Sequence, residues 1–384
     1  MINNLIKRII SALAIGLCTV FTFLPMSHAE AAGTSILDTD TMFTARDLEQ
    51  QLKAENVKVL RVSDGQTLRI TEEGVYVLQG QASEATITVD ASDEAKIQLV
   101  LDGLSITNSD FPCIYVKSVD KVFVTTSADS SLTVTGSFRS DGETKANAVI
   151  FSRSNLVLNG TASLTISSSN HGVVSKDDLN ITGGKVFITA AHHALRANDS
   201  IRIAGGNLTL NAGEDGLHAE HGEDPEKGFI YIAGGQFDIT VKDDAIHAES
   251  VLQIDNGDFQ ISGREGLEAT YVQLNGGTIR IQSSDDGINA GQKSSAYRAT
   301  VEINGGDITV VMGAGDTDGV DSNGDLIVNG GTINVTGNSG FDYDGTAAYN
   351  GGTIIVNGQQ LDSIPNQVMG GRGGMGFGGK HRQW

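Results

Sequence analysis

The chain has 384 residues and sets 47 acidic against 26 basic side chains, a formal charge of −21. That charge repels phosphate and excludes a nucleic-acid binder built on clustered cations, and two cysteines are too few for a disulfide scaffold. Glycine, at 48 residues against about 7 % in average proteins, lacks the every-third register of collagen, and the single long apolar run is too little for a multispan membrane protein.

Lys7 and Arg8 precede the apolar stretch 9–24, Pro25 ends it, and Ser27-His28-Ala29-Glu30-Ala31 supplies small residues for cleavage. This order reads as a secretory signal peptide over residues 1–31. It predicts a secreted or surface-associated protein with no membrane span once the leader is removed. Cys113, the one cysteine left, sits in the apolar run Cys113-Ile114-Tyr115-Val116 and reads as a buried, inert thiol. Export also places the chain where extracellular calcium modules work.

Residues 32–58 come next and read as an N-terminal cap. Leu48 and Leu52 lie one helical turn apart within 45–54, which predicts a short helix over the open end of a stack. Val75-Tyr76-Val77-Leu78, Thr86-Ile87-Thr88-Val89, residues 97–101 and Val122-Phe123-Val124 alternate as strands. Further on, Gly-Gly pairs begin at Gly183, Gly205, Gly234, Gly276, Gly305, Gly330 and Gly351, with Asn256-Gly257 filling the one gap. The spacings are 22, 29, 22, 20, 29, 25 and 21 residues. Each unit repeats a short strand, the glycine pair, a second strand, an acidic turn and a third short strand. Such a unit cannot bury its apolar face alone and must stack on a copy of itself. The expected fold is all-β: a parallel β-helix solenoid over 59–365, with surface loops at 221–228 and 291–299 and a flexible Gly-rich tail over 366–384.

The turn after each second strand repeats six residues: acid, Gly or Ala, apolar, variable, small, polar. Examples are Asp215-Gly216-Leu217-His218-Ala219-Glu220 and Asp244-Ala245-Ile246-His247-Ala248-Glu249. The third and fifth positions are expected inward, the first at the corner, and the fourth in solvent. Stacking would align Asp215, Asp244, Glu265, Asp286 and Asp318 about 4.8 Å apart. Asp243 and Asp285 widen this column, and Asp316, Asp321, Asp342 and Asp344 form its densest cluster. Like charges at that spacing must be protonated or neutralised. Calcium, which takes about 6–8 oxygen ligands in irregular geometry, is the expected remedy; solvated turn aspartates are the plainer reading. Neither the EF-hand spacing nor the calcium-binding nonapeptide repeat is present. His218 and His247 share one position, close to His193 and His221. They read as a stacked surface ladder able to touch sugar hydroxyls, with a zinc site as the other reading.

The run Gly74-Val75-Tyr76-Val77-Leu78-Gln79-Gly80, then Val100-Leu101-Asp102-Gly103-Leu104-Ser105-Ile106-Thr107-Asn108, then Ile114-Tyr115-Val116-Lys117, resembles a secreted bacterial family of carbohydrate-binding β-helix proteins. That family was first described from a cellulolytic clostridium and is reported to bind cellulose and acidic sugars. The segments EDGLHAE, DDGINA and DGVDSNGDLIVNGGTINVTG, Phe341-Asp342-Tyr343-Asp344-Gly345 and the closing Met369-Gly370-Gly371-Arg372 are similar to it in the same order. The resemblance implies a right-handed parallel β-helix holding calcium, shaped like polysaccharide lyases. The carry-over of calcium applies to the acidic column alone, since His171 and His193 replace the acids in earlier coils.

The reading that results is a secreted, monomeric, non-catalytic calcium-binding protein for acidic or plant-type polysaccharide, polygalacturonate or cellulose. Calcium would bridge the anionic protein to an anionic glycan. Lys176, Arg196 and Arg264 would add local positive charge on one strand edge, with solvated surface as their plainer reading. Tyr231, Tyr271 and Tyr297 are the candidate stacking aromatics. The alternatives are a calcium-dependent lyase, with Lys242 beside Asp243 and Asp244 as the base, and a surface scaffold with structural calcium.

Overall fold

The computed structural model describes residues 34–53, 57–313 and 317–366. The leader, Asp316 and all of the tail beyond residue 366 lie outside the described residues. The chain divides into two units, Met1–Glu30 and Ala31–Trp384, and everything described here belongs to the second.

Three columns of short strands stack in parallel. Asp178–Ile181, Ser200–Ile203 and Phe229–Ile232 belong to the first, Lys185–Ala190, Asn207–Ala212 and Gln236–Val241 to the second. Leu195–Ala197, Leu217–Ala219 and Ile246–Ala248 belong to the third. A 24-stranded sheet carries the first two columns and a 12-stranded sheet the third. The fold is all-β and solenoid-like: each coil donates its backbone bonds to the next. Among the described residues the one antiparallel pairing joins Thr353–Val356 to Gln359–Leu361.

Alternation decides which side chains enter the core. In the third column Leu217, Ile246, Leu267, Ile288, Val320 and Phe341 lie in register and are fully buried. Each such side chain contributes about 1.5–3 kcal/mol by leaving water. The small fifth position points the same way, through Ala219, Ala248, Ala269 and Ala290. Phe237 and Phe259 stack in the second column at 4.3 Å.

The second glycine of each pair turns the chain between the first two columns. Gly235 takes φ +129°, and a Cβ there would sit 3.0 Å from the Gly206 carbonyl of the coil below. At the corner, a Cβ on Gly287 would lie 2.3 Å from Val310 Cγ1 and 2.6 Å from the Gly319 carbonyl. Close backbone approach, rather than positive φ, selects glycine there.

The N-terminal segment is not a helical cap. Its described residues hold one 3-10 turn, Thr39–Thr41, and Leu48 is 47 % exposed, so the Leu48/Leu52 spacing buries no helical face. Instead, the segment runs as a strap across the outer face of the first column. Ile36 N–H donates to Gln273 Oε1 and Leu37 N–H to Gln253 Oε1, both at 3.0 Å. Asn159 Nδ2 donates to the Glu49 carbonyl at 2.9 Å, and Gln98 Nε2 to the Gln51 carbonyl at 3.1 Å. Buried Asp47 accepts from Lys121 Nζ at 2.9 Å. The polar side chains of the sheet thus satisfy strap backbone groups that the strap's own turns leave open.

Candidate functional site

The corner between the second and third columns brings the six-residue repeats into register. Gly216 N–H donates to the Asp244 carbonyl, Ala245 N–H to Glu265, Gly266 N–H to Asp286 and Gly287 N–H to Asp318. Asp215, Asp244, Glu265, Asp286 and Asp318 are therefore neighbours on successive coils. Their side chains have a structural task as well. Asp215 Oδ1 accepts from Asp244 N–H at 3.0 Å and Asp286 Oδ1 from Asp318 N–H at 2.9 Å. In the earlier coils His193 Nδ1 accepts from Asp215 N–H, and His171 Nδ1 from His193 N–H, both at 3.2 Å. The first position is an acceptor for the next coil's amide, which histidine or a carboxylate can supply.

The fourth position is not in solvent. His218 and Glu268 are buried, because the fourth side chain folds back against the first-position carboxylate. His218 Nδ1 lies 2.7 Å from Asp215 Oδ2, and His247 Nδ1 lies 3.1 Å from Asp244 Oδ2 and 2.6 Å from Glu268 Oε2. The rings of His171, His193, His218 and His247 stack at 5.1, 4.3 and 4.9 Å. The ladder is largely enclosed, so the expectation of a surface ladder needs that correction. His221 is elsewhere, 3.3 Å from Asp199.

This ladder does not suit zinc. His171, His193 and Glu214 offer ligand atoms within 4.8 Å of one another, as do His193, Asp215 and His218. However, Nδ1 of both His171 and His193 already accepts a backbone amide, which in the neutral ring puts the proton on Nε2 and leaves no free lone pair. Burial pushes His171 down to about 3 and His193 to about 2, with neighbouring cationic and imidazole groups adding to the shift. At the other end burial opposes the charge of His247, but its bonds to Asp244 and Glu268 hold the imidazolium, at about 10.

Two sectors of the acidic column differ in how their charge is met. In the first, Arg264 reaches four carboxylates: Asp243 at 2.6 Å, Asp244 at 3.0 Å, Glu265 at 2.7 Å and Asp285 at 2.8 Å. Burial works against its charge, yet these partners hold its pKa above the usual guanidinium value. Lys293 meets Glu268 at 2.7 Å. Burial raises Asp244, while Glu268 stays ionised against its own burial through His247. Arg264 is thus committed within the protein and is not a spare cation for sugar.

The second sector has no such compensation. Among the described residues Asp286, Asp321, Asp342 and Asp344 pair with no basic side chain. Asn289, Asp321 and Asp342 lie in register on successive coils. Burial, then the charges of Asp286, Asp318, Asp342 and Asp344, push Asp321 up to about 7. Burial and its acidic neighbours raise Asp286 to about 6. Two buried oxygens beside this sector, Asn289 Oδ1 and Thr317 Oγ1, have no hydrogen-bond partner among the described residues. This donor set is oxygen-only and carries excess negative charge, as a hard divalent cation prefers, whereas the predicted column residues whose carboxylate oxygens lie within 4.8 Å of one another are Asp215, Asp243 and Asp244 of the first sector, the last two paired with Arg264.

The remaining candidates are scattered. Lys242 is exposed and adjoins the sector that Arg264 neutralises. Lys176 is exposed, whereas Arg196 lies in register with His218 and reaches Glu220 at 3.7 Å. Tyr231 is buried and donates to Asp255 at 2.8 Å, so it presents no stacking face, whereas Tyr271, whose hydroxyl donates to Glu302 at 2.7 Å, and Tyr297 are half-buried. Among the described residues the exposed aromatic is Phe187. Sequence reasoning missed Glu268, Asn289 and Thr317; the first two are legible as the fourth position of the repeat, and Thr317 carries no signal beyond preceding Asp318.

Comparison with known proteins adds three findings. The family model of carbohydrate-binding domain-containing proteins matches residues 64–316 and 265–364. A carbohydrate-binding domain-containing protein of Acetivibrio thermocellus is 36 % identical over 261 residues, covering 67 % of this chain and 76 % of that protein. A solved polysaccharide lyase-like protein from C. thermocellum, a gadolinium derivative, aligns at 25 % identity with a TM-score of 0.46, covering 76 % of this chain and 99 % of that one.

Proposed function

The chain belongs to the family of carbohydrate-binding domain-containing proteins, and from that premise we propose that it is a secreted, monomeric, non-catalytic receptor for acidic polysaccharide that uses calcium. The stack is a right-handed parallel β-helix in this reading, the hand that parallel crossovers adopt almost without exception. Calcium is held by Asp286, Asp321, Asp342 and Asp344, joined by Asp318 and the oxygens of Asn289 and Thr317. The observation that carries the proposal is the uncompensated carboxylate sector, set beside a neighbouring sector that Arg264 and Lys293 neutralise. Bound calcium supplies the positive charge through which an anionic protein meets an anionic glycan. A lyase would need a base beside that cation, and Lys242 stands in the other sector.

The test is calorimetric titration of calcium into the mature chain and into Asp321→Asn. Wild type should bind at the concentrations of extracellular calcium modules, roughly 10⁻⁴–10⁻³ M, and the variant at least tenfold more weakly. Equal binding by both removes the site from this sector. Calcium binding without any glycan binding would leave a scaffold with a structural ion.

A further inference from the structure

The outer face of the second column carries a groove that the acidic corner does not explain. Asp238, Gln260 and Arg280 lie in register on successive coils, all exposed, and Thr309 continues the row. Beside them Thr240, Ser262 and Gln282 form a second row that ends on Val311, 42 % exposed. The two rows line a shallow groove of about 380 Å³ spanning four coils, a size that ligand clefts have, about 300–1,000 Å³. A second notch, of about 220 Å³, shares Ser262 and Gln282 and reaches Ser284 and Gly313 at the corner. The groove is thus continuous with the edge of the acidic column.

We propose that this groove is the glycan-binding site and that Arg280 reads a uronate carboxylate within it; the proposal rests on the acidic-glycan reading above. Arg280 is the basic group of the groove, and its only ion pair among the described residues is loose: Asp258 at 3.6 Å, with both side chains at least half exposed. Its planar fork is therefore free to take a carboxylate through two parallel bonds. Asp238 accepts from sugar hydroxyls, and Gln260, between the two, both donates and accepts. The three positions span two coil spacings, about 9.6 Å, along the stack. An extended chain that presents hydroxyls and a carboxylate in repeat matches this order. A neutral apolar ligand does not match it, because the floor is hydroxyl, amide and charge. Val311 at one end and Phe187, two coils before Asp238 on the same row, offer apolar surface to the C–H faces of sugar rings.

The experiment compares retention of the full mature chain on polygalacturonate, with calcium present, for wild type, Arg280→Ala and Gln260→Ala. Circular dichroism and thermal unfolding serve as the folding control, since both side chains are exposed. Arg280→Ala should weaken retention on the order of tenfold, as for loss of a bidentate charged contact, and Gln260→Ala by a smaller factor. Arg280→Lys should restore only part. Retention of wild type with both alanine variants unchanged overturns this site and leaves the acidic-glycan reading standing. Failure of wild type itself to bind polygalacturonate overturns that reading and this site with it. Equal loss by Arg280→Ala on a neutral glucan and on polygalacturonate overturns the carboxylate role of Arg280.

Discussion

Arg264→Ala removes the cation that four carboxylates share, and the structure says which of the four matter. Asp243 and Asp285 are exposed by 47 % and 41 %, so their ion pairs contribute about 0–1 kcal/mol each. Asp244 and Glu265 are exposed by only 5 % and 6 %, and water cannot replace the guanidinium there. Removing one partner of a buried pair costs about 3–5 kcal/mol, but Arg264 is itself 42 % exposed. A loss of about 2–3 kcal/mol is therefore expected at pH 7.5. A stacked protein can open locally, so the assay is native-state hydrogen exchange over Ile246–Ala248 and Leu267–Ala269, together with denaturant unfolding. The sign with pH is fixed. Without Arg264 the folded carboxylates hold their protons more tightly, so the deficit is full at high pH and shrinks as pH falls toward 4. Millimolar calcium should recover part of it at pH 7.5. An equal deficit at pH 4.5 and 7.5 would mean that lost packing, not charge, causes the effect, and would refute this account of the corner.

Asp321→Asn probes the other sector. The folded pKa of Asp321, about 7, exceeds the ordinary 3.8, so its contribution to stability is present below pH 3.8 and is lost as pH rises through 7. In chelator at pH 7.5 the Asn variant should unfold later than wild type by about 1–2 kcal/mol, after allowance for solvent screening. A variant less stable than wild type under those conditions contradicts the assignment. Gly287→Ala forces a Cβ against Val310 and the Gly319 carbonyl and should cost about 1–3 kcal/mol by overpacking, read by thermal unfolding; Ala245→Gly, at the same position one sector earlier, should cost less. Gln253→Ala with Gln273→Ala unties the start of the strap and should speed proteolytic cleavage within residues 34–41, while a cleavage rate equal to wild type would show that the strap is held elsewhere.

The repeats were legible because each glycine pair and each apolar third position obeys a local rule. Gly235 needs a positive φ, Ile246 and Leu267 need a core, and both needs show in the residue type. The strap was not legible. Gln98, Gln253 and Gln273 alternate with apolar residues as any solvent-facing strand position would, and nothing local says that a distant backbone satisfies them. Arg264 was misread for a related reason. Beside Glu265 in sequence it looks like a spare cation, and only stacking brings Asp243 and Asp285 to it from the coils on either side. The fourth position was placed in solvent by alternation, whereas His218 and Glu268 turn back to the first-position acids, a consequence of corner geometry that strand periodicity does not contain. The rows through Asp238, Gln260 and Arg280 were not legible, because their register across coils requires the lengths of the intervening loops.

Partition of the mature wild-type chain onto polygalacturonate, in calcium and then in chelator, with ultraviolet absorbance followed throughout, tests the central claim most directly. Retention in calcium, release in chelator and no rise in absorbance from unsaturated product is the expected result. Retention that chelator leaves unchanged, or an absorbance that climbs with time, would contradict it.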